Sequence, residues 1–242
     1  MVGSQFAEVP ERTPRRQEVT QRIKSYILDN RLRPGDPLPT EGELCAALGV
    51  SRSSIREAVK TLHALDIVEV RHGHGTYVGR LSLSALVESL EFRGLLSPED
   101  DFQVLSDLVD VRELFERGMA DRTGALDPDH LDSLDGLVEQ MGAGSGQVDG
   151  FVEADREFHR LLVQPMGNQL ISQLSAVFWD VYRVVAPHLQ VATIEDERDT
   201  IEVHRRIAEA ARAGDPDAFR DAVAEHYAPV RKRISTARAK LA

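Results

Sequence analysis

Two groups of side chains in this 242-residue chain are spaced for chemistry. The first is the run Ser51-Arg52-Ser53-Ser54-Ile55-Arg56. Arg52 and Arg56 are four apart, so on a helix they share a face. A guanidinium can bridge O6 and N7 of guanine, which makes both arginines candidates for reading base edges. Ser51, Ser53 and Ser54 add hydroxyls at a helix start, where backbone N–H groups already favour phosphate. The second group is Asp155, His159, His204 and His226. Asp155 and His159 are also four apart, about 40° around a helix axis and one turn along it. One carboxylate and three imidazoles are a donor set for a divalent cation such as Zn, Ni, Mn or Fe.

Both groups need elements to position them. Around the arginines, Thr40 reads as a helix N-cap with Glu43 completing a capping box. Thr40 is also a candidate phosphate contact. Leu44, Ala47 and Leu48 then share one face, and Gly49 permits a tight turn. Ser51 caps the next helix, whose inner face is Ile55, Ala58, Val59 and Leu62. Two short strands follow, Ile67–Val70 and Thr76–Val78, joined by His72-Gly73-His74-Gly75. Preceded by a helix over Arg15–Asn30, this is the order of a winged helix-turn-helix, a fold that puts its second helix into the major groove. Cys45, the single cysteine, reads as a small core residue and rules out a disulfide framework.

The remainder reads as helix throughout, so the expected fold class is mainly α: a winged helix-turn-helix followed by an all-α bundle. Seven helices are expected, near 82–95, 100–123, 127–142, 149–165, 168–189, 194–213 and 215–240. Breaks fall at Ser97-Pro98, Asp127-Pro128, Gly142–Gly146, Pro165–Gly167, Pro187 and Gly214-Asp215-Pro216. Asp127 and Asp215 precede prolines as N-caps do. The expected domains are a loose arm at 1–14, a DNA-binding domain at 15–79 and a helical ligand-binding domain at 80–242. His204 and His226 fall on the last two helices, so three helices would bring the four ligands together, as bundle metal sites are built.

Two resemblances follow from these residues. Leu38-Pro39-Thr40-Glu41, Leu44, Gly49-Val50-Ser51-Arg52, Ile55-Arg56-Glu57-Ala58, Leu62 and Gly73-x-Gly75-Thr76-x-Val78 resemble the N-terminal domain of GntR-family transcription regulators. By that resemblance His72 and Gly73, at the wing tip, approach the minor groove. Gly42 stands where some FadR-type proteins have a DNA-touching arginine, so their operator preference does not transfer. Val109-x-Val111-Arg112-x-Leu114-x-Glu116, Asp155-x-x-Phe158-His159, Gly167-Asn168-x-Leu170-Ile171, His204-x-x-Ile207-x-x-Ala210, Gly214-Asp215 and His226 resemble the FCD domain of the FadR-type subfamily. That resemblance implies a metal on Asp155, His159, His204 and His226, and a small carboxylate effector such as a sugar acid or hydroxy acid. It makes Arg112 the partner of the effector carboxylate, against the alternative of a surface arginine pairing Glu116 at i,i+4. Asn168 is either a pocket residue or a helix N-cap. Trp179 and Tyr182 read as core.

Composition fits once the chain is divided. The net charge is -11, which taken whole argues against a nucleic-acid partner. Residues 1–80 hold 12 Lys+Arg against 10 Asp+Glu, while 81–242 hold 17 against 30. A mildly basic module thus precedes an acidic body. No apolar run approaches a membrane span and no secretory segment is seen, so a cytoplasmic protein without a membrane partner is expected. The expected function is a homodimeric regulator, on the family pattern a repressor, that binds double-stranded operator DNA and releases it when a carboxylate binds at the metal. Two alternatives stand beside it. In one the ion is itself the signal. In the other the bundle is a metalloenzyme fused to a DNA-binding module.

Overall fold

The computed structural model describes residues 16–96, 102–144, 148–185, 189 and 194–241. The chain divides into two compact units, Met1–Ala85 and Leu86–Ala242.

The first unit holds α1 (Arg16–Asp29), α2 (Glu41–Leu48), α3 (Arg52–Ala64), β1 (Val68–Arg71) and β2 (Gly75–Val78). The strands pair antiparallel, with Val68 opposite Val78 and Arg71 opposite Gly75. The capping box forms as read: Thr40 Oγ1 accepts the Glu43 N–H, and the Glu43 carboxylate accepts the Thr40 N–H at 2.8 Å. Gly49 takes the left-handed conformation at φ 64°, which turns α2 into α3. Ser51 Oγ accepts the Ser54 N–H and so caps α3. Val19, Ile23, Leu44, Ile55, Ala58, Leu62, Val68 and Val78 form one core, with Cys45 packed against its edge. Gly79 is required where the chain leaves the wing. A Cβ there would lie 2.2 Å from the Asp66 carbonyl oxygen.

The second unit is helical. The full helix α4 runs Ser84–Leu96; α5 (Gln103–Arg117), α6 (Pro128–Ala143), α7 (Val148–Val163), α8 (Gln169–Val185), α9 (Ile194–Ala213) and α10 (Pro216–Leu241) follow. Neighbours α6–α7 and α9–α10 pair, and α5 packs on both α8 and α10. The caps at Asp127 and Asp215 form: Asp127 Oδ1 accepts the His130 N–H, and Asp215 Oδ1 accepts those of Asp217 and Ala218.

The structure departs from the expected boundaries in two places. The helix expected over 100–123 ends at Arg117, and a 3-10 turn spans Ala120–Ala125. There the Thr123 hydroxyl donates to the Ala120 carbonyl, and both residues are buried, which favours the tighter turn. The α7 helix stops at Val163 because Pro165 has no N–H to donate, and a 3-10 turn, Gln164–Met166, leads to Gly167 at φ 64°. The expected breaks at Ser97-Pro98 and Pro187 lie outside the described residues, as does the arm at 1–14.

Candidate metal centre and nucleic-acid interface

In the N-terminal unit, α3 buries Ile55, Ala58, Val59 and Leu62 against the core. The opposite face therefore presents Arg52, Ser53 and Arg56 to solvent. Ser51, Ser53 and Ser54 bring their hydroxyls together at the start of α3, with Ser51 Oγ 2.8 Å from Ser53 Oγ and 2.9 Å from Ser54 Oγ. Arg56 is held by Glu41 of α2, its Nε lying 2.9 and 3.1 Å from the two carboxylate oxygens. His72, Gly73 and His74 are exposed at the wing tip, and Gly73 takes φ 76°. Thr40 is committed elsewhere. Its hydroxyl donates to Glu43 at 2.8 Å, which leaves the capping box in possession of the proton a phosphate would need.

In the C-terminal unit, α7 supplies Asp155 and His159, α9 supplies His204 and α10 supplies His226. Their ligand atoms all lie within 4.8 Å of one another. His204 Nε2 is 2.9 Å and His159 Nε2 is 3.2 Å from Asp155 Oδ1, and the two nitrogens are 3.1 Å apart. The outer nitrogens explain this convergence. His204 Nδ1 lies 2.7 Å from the Thr200 carbonyl, which can only accept. His159 Nδ1 lies 2.9 Å from Glu116 Oε1. Each Nδ1 therefore faces an acceptor, and each ring turns its Nε2 inward toward the Asp155 carboxylate and the other ring. Ring nitrogens and a carboxylate oxygen this close need a cation or a proton between them. His226 adds a buried Nδ1 with no hydrogen-bond partner among the described residues.

The titration of these groups follows the same logic. Burial by itself would raise the Asp155 carboxyl, yet the His159 and His204 imidazoles hold it well below the usual range. Burial and the Arg112 charge work against protonation of His159, but Glu116 and Asp155 outweigh them and raise it. His226 is pushed well down, first by burial and then by His204 and His159, so it stays a neutral donor. The residues thus fit a divalent metal: one hard oxygen, three imidazoles, and acceptors behind two of the rings that fix tautomer and orientation. The cluster is the one group of this kind found among the described residues.

Beside it lies a charged network that the sequence announced only in part. Arg112 is 2% exposed and Glu116 is 0% exposed. Arg112 Nε donates to Glu116 Oε1 at 2.9 Å, the same oxygen that receives His159 Nδ1. The Tyr227 hydroxyl donates to Glu116 Oε2 at 2.7 Å. The Arg112 guanidinium lies 4.2 Å from the Phe178 ring centre and 4.9 Å from that of Trp179. Its Nη2 is buried without a hydrogen-bond partner among the described residues. The i,i+4 pairing with Glu116 does occur, but in the interior rather than on the surface. Trp179 is core, as read, and also a wall for Arg112. Tyr227 and Thr200 carried no signal of their own, although Tyr227 adjoins His226. Asn168 is exposed at the start of α8, where its Oδ1 accepts the Leu170 and Ile171 N–H groups. That cap accounts for the residue, and among the described residues no hydrogen bond joins it to the cluster.

Comparison with known proteins agrees with both units. Residues 15–78 match the bacterial regulatory proteins of the gntR family, and residues 107–229 match the FCD domain. This chain belongs to the FCD-containing branch of the GntR family. The galactonate operon transcriptional repressor of Escherichia coli K12 is 26% identical over 88% of this chain and 93% of its own. A probable D-xylose utilization operon transcriptional repressor from Paenarthrobacter nicotinovorans is 30% identical, covering 90% and 87%. A solved GntR structure from Streptococcus agalactiae superposes with a TM-score of 0.64 at 31% identity, covering 90% of this chain and 99% of that one. The protein is therefore a GntR/FCD transcription regulator and not an enzyme, which removes the metalloenzyme alternative. Its helix-turn-helix implies binding to DNA, and its FCD domain implies a small-molecule effector. Among the described residues no helix is long and apolar enough to cross a membrane.

Proposed function

We propose that the protein is a homodimeric repressor whose operator is released when a small carboxylate binds at a divalent metal in the C-terminal unit. The observation that carries this reading is Arg112 Nη2, a buried guanidinium nitrogen with no hydrogen-bond partner among the described residues, in a network that also orients the candidate metal histidine His159. A buried, unpaired N–H on a cation is costly, and a carboxylate oxygen is its natural acceptor. Asp155, His159, His204 and His226 would hold the ion. When bound, the ion would offer a Lewis-acidic centre for an effector oxygen. Arg112 would take the carboxylate, with Glu116 fixing the guanidinium and Phe178 and Trp179 walling it. We leave Asn168 in its cap and outside the pocket.

Arg52 and Arg56 would read base edges, while Ser51, Ser53 and Ser54 would engage phosphate through hydroxyls and the α3 N-terminus. His72 and Gly73 would approach the minor groove from the wing. We do not retain Thr40 as a phosphate donor, because its hydroxyl proton serves Glu43. A second copy would supply the second half-site. The α4 helix supports this. It is rich in leucine, yet none of its side chains is buried, and Leu86, Phe92, Leu95 and Leu96 are all exposed. A 13-residue helix is marginal alone in water and needs an apolar surface to lie on. Val111 and Leu114 of α5 are exposed as well.

The test has two steps. Metal analysis of the purified protein should find about one equivalent of a divalent transition metal, and chelation should lower thermal stability. The protein would then be bound to a duplex it selects from a randomised pool and titrated with carboxylates. The relative named for the galactonate operon puts sugar acids first. Release by metal alone, with no carboxylate active, would favour an ion-sensing regulator instead.

A further inference from the structure

The two arginines of α3 are not equivalent. Arg52 is exposed and has no partner among the described residues. Arg56 is 62% exposed, yet it is tied across 15 residues of sequence to Glu41, which is 42% exposed. The form of the tie matters. Both Glu41 oxygens lie on the single Nε–H, at 2.9 and 3.1 Å, rather than forking onto Nε and one Nη. Both Nη groups of Arg56 are left without a partner among the described residues. That edge carries the parallel N–H pair that fits guanine O6 and N7. Glu41 itself is fixed, being the first residue of a helix whose cap is closed by Thr40 and Glu43. Exposed ion pairs contribute little to stability, so the pair has little to offer the fold.

We propose that Glu41 is a positioning residue for sequence recognition: it holds the Arg56 guanidinium by Nε and presents the free Nη edge to DNA. This rests on the reading of α3 as the base-reading helix. A long side chain held in its bound rotamer loses less freedom on binding, which corresponds to about a two- to tenfold gain in affinity. The gain applies only where Arg56 meets its base, so it appears as selectivity. The Glu41 charge also repels phosphate, and that effect is uniform across sequences. The two contributions have opposite signs and separate in one experiment.

The probes are the duplex that the wild-type protein selects from a randomised pool and a shuffled duplex of equal length. Full-length wild type, E41A, E41Q, R56A and E41A/R56A are compared, with thermal melting to confirm folding. E41A should lower the selected-to-shuffled affinity ratio about two- to tenfold, and should relax preference at the same base pair that R56A relaxes. E41Q keeps an acceptor for Nε and should fall nearer wild type. In the R56A background, E41A should leave the ratio unchanged. An E41A protein whose affinity for both duplexes rises equally overturns the proposal, since Glu41 would then act by charge alone. Relaxation at a different base pair also overturns it, since Glu41 would itself touch a base. R56A with wild-type preference would sink the α3 reading and this proposal together. R56A relaxed with E41A unchanged sinks only the role of Glu41.

Discussion

At the residue scale the decisive atom is Glu116 Oε1. It accepts from Arg112 Nε and lies 2.9 Å from His159 Nδ1, so one oxygen serves both the candidate effector arginine and a candidate metal ligand. Partners behind a metal histidine typically change metal affinity 10–100-fold. Glu116→Gln should therefore weaken metal binding by about that factor, measured by competition with a chromogenic chelator. Unchanged affinity would show that Glu116 does not tune the site. Arg112→Ala is a poor probe, because removing one partner of a buried pair costs about 3–5 kcal/mol and strands the other charge. Arg112→Lys is better. It keeps a cation for Glu116 but loses the fork. It should retain metal while needing much more carboxylate to release DNA, and wild-type release would place the pocket elsewhere. His204→Ala or His226→Ala should lower metal content and melting temperature together. An ion at 100 times its Kd stabilises the folded state by about 2.7 kcal/mol, and that increment should vanish.

At the scale of elements, α3 works because its two faces divide cleanly. Ile55, Ala58, Val59 and Leu62 anchor it, and Arg52 and Arg56 stand on the other side. Arg52→Ala or Arg56→Ala should each cost about 1–3 kcal/mol of discrimination against a wrong base without unfolding the unit. Binding curves on the selected and singly substituted duplexes measure this, and equal losses on every sequence would mean phosphate contacts instead. The exit of the wing is the sterically tight point of the same unit. At Gly79 an added Cβ would meet the Asp66 backbone at 2.2 Å, where no side-chain rotation relieves it. Gly79→Ala should destabilise the N-terminal unit by about 1–3 kcal/mol, the usual range for overpacking. A melting curve with an unshifted first transition would contradict the close approach.

At the scale of the whole molecule, the proposed function makes two demands. The first is a cover for α4. If the proposed dimer forms on this face, Phe92→Glu with Leu96→Glu should convert it to monomer and weaken operator binding, while helix content stays at the wild-type level. Sedimentation velocity would decide it, and a persistent dimer would move the interface off this face. The second is coupling between effector and operator. Allosteric regulators typically link two ligands by about 1–3 kcal/mol, and the linkage is reciprocal. Saturating operator should therefore weaken effector binding by the factor with which effector weakens operator binding.

The sequence alone determined what depends on local spacing. Caps, turns and helical faces are set within a few residues, so Thr40 with Glu43, Gly49, Ser51, Asp127 and Asp215 could be read in advance. The donor set at Asp155, His159, His204 and His226 was legible because one pair shares a helix face and the motif order supplied the rest. Boundaries failed where burial overrode periodicity, as in the 3-10 turn at Ala120–Ala125. Tertiary structure decided which atoms face each other across helices. No spacing along the chain could show that Glu116 reaches His159 43 residues away and Tyr227 111 residues away, or that Arg112 is left with one nitrogen unpaired. Nor could it show Glu41 holding Arg56, since that pair depends on how α2 crosses α3. Local chemistry follows from sequence because its partners are neighbours on the chain. Buried networks do not, because packing chooses their partners.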